Sequence, residues 1–281
     1  MLGLDVSVYS GEITAEKWRQ IKALGYEVAV IGLFHGQTAN RYANRQCFAA
    51  KEAGMITAGY IYLAPWTGKS GEEQVLVGLD TVGELLAKEM CFVAIDCECD
   101  GITKEMIWQA VDTVRAKGLR AIIYTARWWW KDHFGDPHDF AGVPLWSAYY
   151  DNDPDLDFPK MPYGNWEPTL HIGVRAAQTA GIMGEQYQGT VYICGINCDL
   201  NWFDERFIRE EDDDMAQSVY RIAGTDALYV RGFVHVHDEA EVERLKRLGY
   251  DFENVQELQP DDNILDHCPV IYQEIPGPMR S

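Results

Sequence analysis

An apolar run in the middle of the chain is followed by acidic residues spaced by two. Residues 92–95 are apolar, and Asp96, Glu98 and Asp100 come directly after them. Side chains alternate along a strand, so these acids are expected to share one face. Carboxyl groups held close together and out of water are costly unless they are paired or used in proton transfer. The spacing predicts a buried strand that delivers acids to its C-terminal end. A turn or helix cap is the alternative, since Asp100-Gly101 is also typical of turns.

Short apolar runs alternate with amphipathic stretches in the first 124 residues. Strands are predicted at residues 2–8, 28–34, 56–63, 92–100 and 119–124, and helices at 14–24, 40–53, 72–89 and 104–117. Beyond residue 125, polar connections join three further predicted strands, at 145–150, 171–178 and 191–196. Eight strands, with helices predicted between the first five, predict an α/β fold, an irregular TIM-like (β/α)5β3 barrel. Its site is expected at the C-terminal ends of the strands.

Acids and aromatic residues recur at those strand ends. Barrel closure places the first strand beside the last, so Asp5 and Asp199 are expected to be neighbours. Carboxyl groups suited to proton transfer, next to flat aromatic faces, favour a carbohydrate ligand. Packing inside the barrel is the alternative for each aromatic residue taken singly. The residues at the predicted rim are Asp5, Tyr60, Tyr62, Asp96, Glu98, Tyr124, Trp146, Tyr150, Gln178 and Asp199.

Short motifs occur at these strand ends in a fixed order over about residues 1–205. They are Gly3-Leu4-Asp5-Val6-Ser7, Ala58-Gly59-Tyr60, Ile95-Asp96-Cys97-Glu98, Ile123-Tyr124-Thr125 with Trp128 nearby, Leu145-Trp146-Ser147-Ala148-Tyr149-Tyr150 and Cys198-Asp199-Leu200-Asn201. In their order and carboxylates they resemble the glycoside hydrolase family 25 lysozymes, the muramidases found in bacteria and phage endolysins. Such families have a barrel with five helices and three final strands that lack them, in line with the alternation above.

The resemblance implies a peptidoglycan hydrolase that cleaves the β-1,4 bond between N-acetylmuramic acid and N-acetylglucosamine, without a cofactor. It implies that Glu98 is the general acid and that Asp96 orients the substrate N-acetyl group or stabilises the developing positive charge. It also implies that Asp5 and Asp199 are the supporting catalytic carboxylates. A protonated Glu98 at neutral pH needs a raised pKa, and neighbouring carboxylates supply a reason. The predicted substrate-binding residues are Tyr60, Tyr62, Tyr124, Trp128, Trp146, Tyr150 and Gln178.

Two alternatives stay open at this point. The reaction is either retaining or inverting, because two side chains of one strand can have either of the carboxyl separations that distinguish the two outcomes. A non-catalytic glycan-binding or structural barrel module of a phage tail is the alternative to an enzyme.

The sequence departs from the family pattern at the seventh strand. Such lysozymes usually carry Trp-Gln-Tyr there, and this chain offers two counterparts, Ala177-Gln178-Thr179 and Glu185-Gln186-Tyr187. The first alignment makes Gln178 the predicted binding residue. In addition, Ile61 replaces a common His, and Trp128-Trp129-Trp130 adds aromatic bulk. These changes affect the expected glycan preference more than the chemistry, because all four carboxylates are present.

Composition argues against several other classes of protein. The formal net charge of −20 disfavours nucleic acid as a partner, because phosphate binding needs clustered Lys and Arg. No apolar run reaches the roughly 18 residues of a membrane helix, so no membrane partner is expected. The N-terminus lacks a signal-peptide core, so we expect synthesis in the host cytoplasm and action at the bacterial cell wall after release or within a virion.

Cysteine and histidine groups are weak metal candidates. Cys97 and Cys99, with Cys194 and Cys198, lack the usual zinc-ligand spacing, so no metal is expected. His133 and His138 share a predicted loop with three aspartates, Asp132, Asp136 and Asp139, for which a solvated loop is favoured over a cation site. His35, near the end of the second strand, either assists binding or is a polar loop residue.

The last part of the chain is predicted to be a separate unit. We place a catalytic barrel at residues 1–208, an acidic linker at 209–217 and a small α+β C-terminal binding or attachment domain at 218–281. The predicted elements of this last domain are strands at 218–222, 227–230 and 233–236 and a helix at 238–248. Its acidity disfavours electrostatic attachment to an anionic wall, so a specific cell-wall ligand or a phage tail protein is the expected partner. Similar appendages occur on phage lysins, which favours a phage-encoded protein.

Overall fold

The computed structural model describes residues 1–135, 140, 142–156 and 181–209, together with 218–222, 228–230, 234–236, 242, 246 and 251–258. The chain divides into two units, Met1–Glu210 and Glu211–Ser281. The predicted strand at 171–178, with Gln178, lies outside the described residues.

Eight strands of the first unit close into a barrel. The strands are β1 (Leu2–Val6), β2 (Val28–His35), β3 (Thr38–Ala39), β4 (Ile56–Tyr62), β5 (Val93–Asp96), β6 (Ala121–Ala126), β7 (Leu145–Ala148), β8 (Ile182–Ile193) and β9 (Ile196–Phe203). The short β3 pairs with the end of β2, and the other strands form the barrel. Barrel neighbours from β1 to β8 are parallel, while β9 is antiparallel to both β8 and β1. The predicted eight-stranded α/β barrel is confirmed.

Helices connect the parallel strands on the outside of the barrel. They are α1 (Ala15–Ala23), α2 (Ala43–Glu52), α3 (Gly71–Val82), α4 (Glu84–Lys88), α5 (Lys104–Ala116) and α6 (Arg127–Phe134), with α7 (Glu205–Ile208) after β9. The side chains of Thr14, Ser70 and Thr103 cap α1, α3 and α5 by accepting backbone N–H bonds. The single helix predicted at 72–89 is divided, because Gly83 has a φ of 83° and ends α3.

The last two barrel strands form one long hairpin, so the prediction of a single strand at 191–196 is wrong. That range holds the end of β8, the turn Cys194-Gly195 and the start of β9. Both turn residues have positive φ, 51° and 73°, as a two-residue type I′ hairpin turn requires. The sequence lacks the Asn-Gly or Asp-Gly pair that usually signals this turn, so it gives no sign that one strand ends and another begins here. Asp199 consequently lies within β9 and not beyond a strand.

Aromatic rings fill the barrel at the end opposite the strand C-termini. The ring centroid of Phe92 lies 5.4 Å from that of Phe203 and 5.6 Å from that of Phe207. Gly184 leaves room for this packing, since a Cβ there would lie 2.6 Å from the Phe203 ring. This end of the barrel is therefore a packed core, and a ligand has to enter from the other end.

Helices α3 and α5 approach each other closely at Gly71. A Cβ added at Gly71 would lie 2.0 Å from the carbonyl oxygen of Met106 and 2.9 Å from the backbone nitrogen of Ala110. Backbone atoms cannot move aside as a flexible side chain does, so a methyl group there forces the helices apart. We expect Gly71→Ala to lower the free energy of unfolding by about 2 to 3 kcal/mol, measured by urea denaturation. Gly142→Ala is the matched control, because a Cβ at Gly142 meets no atom of the described residues within 4 Å. Equal stability of the two variants would contradict this packing.

The second unit contains a four-stranded sheet. Its strands are β10 (Ser218–Ile222), β11 (Leu228–Val230), β12 (Val234–Val236) and β13 (Asp251–Leu258), in the order β12-β11-β10-β13. The strand β12 runs in the same direction as β10 and β13, so the connection from β12 to β13 needs a crossover, and Val242 and Lys246 are helical within it. The strand β13 has no counterpart in the sequence prediction.

None of the described helices is long and apolar enough to cross a membrane.

Candidate active site

Four acidic residues lie at the C-terminal end of the barrel. Asp5 of β1 pairs directly with Asp199 of β9, as closure of the barrel predicts. Asp96 is the last residue of β5. Glu98 lies two residues beyond the end of β5, so the predicted strand at 92–100 is too long. The four carboxyl groups are close enough to affect one another's protonation.

Burial raises the pKa of every one of these acids, and repulsion by a neighbouring acid raises it further for Asp5, Asp96 and Glu98. Burial, and then the charge of Asp199, raise the pKa of Asp5 to about 7, against the lowering effect of hydrogen bonds from Asn201 and Gln186. Burial and the charges of Glu98 and Asp5 raise the pKa of Asp96 well above its ordinary value. These carboxyl groups therefore retain protons at a pH at which exposed carboxyl groups are ionised.

Glu98 is the more open member of its pair with Asp96. Its side chain is half-buried, whereas Asp96 is 8% exposed and its Oδ1 has no hydrogen-bond partner among the described residues. Burial, and then the charge of Asp199, raise the pKa of Glu98. Burial also raises the pKa of Asp199, while the backbone N–H of Thr190 lowers it by donating to the Asp199 carboxylate. In the part of the chain that the structure describes, no salt bridge neutralises any of the four acids.

Gln186 of β8 joins two acids to two tyrosines. Its Nε2 donates to Asp5 Oδ2 at 2.9 Å and to Asp199 Oδ2 at 3.4 Å. Its Oε1 accepts from the hydroxyls of Tyr124 at 2.8 Å and Tyr150 at 2.7 Å. The two ends of one amide thus fix the orientation of four side chains.

The strand position of Gln186 decides between the two alignments of the seventh strand. Glu185-Gln186-Tyr187 lies in the seventh barrel strand, β8, which pairs with β7. Choosing Gln178 as the binding residue therefore missed Gln186, and Gln178 itself lies outside the described residues. The signal was present in the Gln-Tyr pair. Neither counterpart carries the expected Trp, since Ala177 and Glu185 stand at that position.

Replacing the amide of Gln186 by a carboxyl group tests this network. Gln186→Glu removes the donor to Asp5 and Asp199 and places a further acid among buried carboxyl groups. We expect the free energy of unfolding to fall by about 2 to 3 kcal/mol at pH 8 and by less at pH 5, where the new acid is neutral. Urea denaturation at both pH values measures the loss. Gln20→Glu, the same change on an exposed position of α1, is the control. A loss of stability that does not depend on pH would contradict the position of Gln186 among these carboxyl groups.

Asn201 and Trp146 support Asp5 from inside the barrel. The side-chain amide of Asn201 donates to Asp5 Oδ2 at 2.9 Å, and its oxygen accepts from the indole N–H of Trp146 at 3.1 Å. Trp146 is 2% exposed, and its ring centroid lies 4.6 Å from that of Tyr124. In this geometry Trp146 packs in the interior and positions Asn201, and it offers no open face to a ligand.

Two tyrosines of β4 line the other side of the acids. Tyr60 lies across Gly32, where a Cβ would come within 2.6 Å of the phenol ring. Burial raises the pKa of Tyr60 far above its ordinary value, and the charges of Asp5, Asp96 and Asp199 raise it further. Its phenol therefore stays a hydrogen-bond donor. The pKa of Tyr62 is raised chiefly by burial, with contributions from Cys99 and the neighbouring acids.

Other predicted residues lie on or beside the helices that follow β5 and β6. Trp128, at the start of α6, is 65% exposed. His133 lies in α6 and not in a loop, and its Nε2 is 3.0 Å from Asp100 Oδ1, while His138 lies outside the described residues. The helix cap expected near Asp100 is supplied by Thr103. Within the described residues, no group of three or more His, Cys, Asp or Glu side chains is arranged to hold a metal ion.

An α/β barrel with acids and aromatic rings at the C-terminal ends of its strands has the features of the barrel glycoside hydrolases. The model of the family "Glycosyl hydrolases family 25" matches residues 4–171. The chain belongs to this family.

Individual relatives agree with this assignment. "Probable GH family 25 lysozyme 3" of Dictyostelium discoideum is 27% identical over 164 residues, which are 55% of this chain and 31% of the relative. "Probable GH family 25 lysozyme 2" of the same organism is 25% identical over 211 residues, 72% of this chain and 90% of the relative. The chain spans about a third of the length of the first curated relatives it matches.

A solved structure has the same fold. The bacterial lysozyme from Streptomyces coelicolor superposes with a TM-score of 0.55 at 19% identity, over 75% of this chain and 97% of the other.

Proposed function

We propose that the chain is a lysozyme that hydrolyses the β-1,4 bond between N-acetylmuramic acid and N-acetylglucosamine in bacterial peptidoglycan. Its family and the lysozyme names of its relatives support the substrate class. The observation that carries the chemistry is Glu98, which is half-buried and whose pKa is raised by burial and by Asp199. A general acid needs to hold its proton near the working pH and still reach the substrate.

Glu98 transfers its proton to the glycosidic oxygen as the bond from that oxygen to the sugar carbon breaks. Water then supplies a hydroxyl group to the sugar carbon and a proton that restores Glu98. Asp96 lies beside Glu98 and is buried, so it is placed to orient the N-acetyl group or to stabilise the positive charge that develops on the sugar. Asp5 and Asp199 support this pair from the opposite wall, held by Gln186.

Aromatic and hydroxyl groups around the acids bind the sugars. Tyr60 and Tyr62 lie on one side, and Tyr124 and Tyr150 are linked through Gln186 on the other. Tyr150 is 60% exposed, so its ring face is open to a sugar. Trp128 supplies a further exposed ring at the start of α6.

Solubilisation of purified cell walls tests the proposed activity. We expect the full chain to release soluble glycan fragments from purified bacterial walls and to lower the turbidity of the suspension. A chain that sediments with the walls and releases no fragment would contradict an enzyme and support the alternative, a barrel that only binds glycan. Failure both to bind and to cleave would contradict both.

The origin of the chain, the place where it acts and the role of its second unit are separate proposals. A phage-encoded endolysin or tail-associated lysin acting at the bacterial cell wall is supported by the resemblance of residues 218–281 to appendages of phage lysins. In this proposal the second unit binds a cell-wall ligand or a tail protein. Detection of the chain in purified virions would support the tail placement, and detection in the lysate alone would support a free endolysin. Absence from both would contradict a phage origin.

A further inference from the structure

Four aromatic rings form a continuous row on the barrel rim, and the third of them lies on the strand beside Asp96. In order they are Tyr9, His35, Tyr62 and Trp66. Tyr9 meets His35 edge to face with ring centroids 6.1 Å apart, and His35 stacks on Tyr62 at 5.0 Å. The centroid of Trp66 lies 6.1 Å from that of Tyr62. We call this row the rim ridge.

Strand register fixes the middle of the rim ridge relative to the acids. His35 of β2 pairs with Tyr62 of β4, and Tyr62 pairs with Asp96 of β5. Tyr62 and His35 therefore lie at the same height along the barrel as Asp96, on the next two strands. Neighbouring strands are about 5 Å apart, so His35 lies two strand spacings from Asp96.

Short turns present the two ends of the rim ridge. Tyr9 lies in the 3-10 helix after β1, where the Ser7 hydroxyl accepts its backbone N–H. Trp66 lies in the 3-10 helix after β4. Gly36, at φ 67°, leaves space for the indole, since a Cβ there would lie 3.0 Å from the Trp66 ring and 2.9 Å from Ala64. Trp66 is thus packed on backbone atoms even though much of its ring faces solvent.

The end rings of the rim ridge are open to a ligand. Tyr9 is 75% exposed and Trp66 is 54% exposed. Large exposed aromatic groups that cluster next to a polar cleft mark a binding surface. The apolar faces of a sugar ring fit flat aromatic side chains, and the polar edge of the sugar stays hydrated. Because the rim ridge passes beside Asp96 at Tyr62, its occupant is the same polymer that crosses the acids.

We propose that the rim ridge binds additional N-acetylated sugar units of a glycan strand, beyond the two sugars that flank the cleaved bond, and so favours long strands over short ones. This inference rests on the proposed function, because it takes the occupant of the acid site to be peptidoglycan. Rings that are already stacked on one another lose little freedom when the strand binds. Each end ring is expected to contribute about fivefold in affinity for a long strand.

Binding to strands of two lengths tests the proposal. The full chain carrying Glu98→Gln is titrated with long soluble peptidoglycan glycan strands and with the peptidoglycan tetrasaccharide, using calorimetry. Tyr9→Ala and Trp66→Ala, each added to that protein, are expected to weaken long-strand binding by about fivefold and to reduce the preference for the long strand over the tetrasaccharide. Trp66→Phe is expected to restore most of the preference, because it keeps an aromatic face.

Leu24→Ala is the control for the loss of an exposed apolar side chain. Leu24 is 59% exposed and ends α1, at the opposite end of the barrel from the rim ridge. It is expected to leave both affinities unchanged. Unchanged preference in both Tyr9→Ala and Trp66→Ala would overturn the proposal, as would an equal loss for the two ligands.

Wall cleavage by the wild-type chain keeps the two ideas apart. If the wild type cleaves walls and the rim-ridge variants keep the full length preference, the rim ridge is overturned and the proposed function stands. If the wild type cleaves no wall while the length preference still depends on Tyr9 and Trp66, catalysis is overturned and the glycan-binding ridge stands.

Discussion

Glu98→Gln is expected to lower kcat on purified bacterial walls by about a thousandfold, because the amide cannot give a proton to the leaving oxygen. The substitution keeps the size of the side chain and removes one of the mutually repelling carboxyl groups, so the fold is expected to be retained. Initial rates of fragment release, with protein stability measured alongside, provide the comparison.

A second acid-to-amide change controls for altered charge in this experiment. Glu72→Gln changes an exposed position of α3 and is expected to keep the wild-type kcat. Retention of more than about a tenth of the wild-type kcat by Glu98→Gln would contradict its role as general acid.

Stability is expected to fall as pH rises through the range in which the buried acids ionise. Asp5 has a folded pKa of about 7 against an ordinary value of 3.8, so between these pH values the folded chain holds a proton that the unfolded chain releases. The contribution of Asp5 to folding is therefore unfavourable above pH 7 and disappears as pH falls toward 4. The pKa values of Asp96, Glu98 and Asp199 are also raised, so they act with the same sign.

Asp5→Asn isolates this effect. It is expected to raise the free energy of unfolding at pH 8 by about 2 to 4 kcal/mol, to raise it little at pH 4, and to flatten the dependence on pH between them. Urea denaturation from pH 4 to pH 8 measures this. Asp112→Asn, on an exposed position of α5, is the control. Two results would contradict a destabilising role of the buried acids. One is a wild-type chain that becomes more stable between pH 6 and pH 8, and the other is an Asp5→Asn variant whose stability depends on pH as steeply as that of the wild type.

Burial of the acids lowers the stability of the fold and at the same time supports proton transfer. Buried acids without salt bridges weaken the fold, and the same surroundings keep a proton available for transfer. Gln186 and Asn201 limit the cost by donating to Asp5. An enzyme with this arrangement is expected to gain stability whenever it loses an acid.

The barrel and its acids are the parts that sequence reasoning could reach. Strand and helix periods differ, so the alternation of elements predicted the first six barrel strands, and closure predicted that Asp5 meets Asp199. Acids at the ends of apolar runs stand out because unpaired acids are rare in buried strands.

The missed features depend on contacts that no local pattern records. Gln186 resembles any polar strand residue until its four partners are in place, and Cys194 in a left-handed turn gives no hairpin signal. Tyr9 and Trp66 lie in 3-10 turns without periodicity, so only the assembled rim shows that their rings adjoin. The predicted strand at 171–178 lies outside the described residues and stays a prediction.

Mass spectrometry of the fragments released from purified walls tests the central claim most directly. The full chain digests the walls, the products are reduced with borohydride, and the sugar at each new reducing end is identified. The proposed reaction leaves reduced N-acetylmuramic acid at these ends, formed by the wild type and nearly absent with Glu98→Gln. Reduced N-acetylglucosamine at the new ends would show cleavage of the other glycosidic bond and contradict the proposed reaction. Equal yields of reduced muramic acid from the two proteins would contradict the role of Glu98.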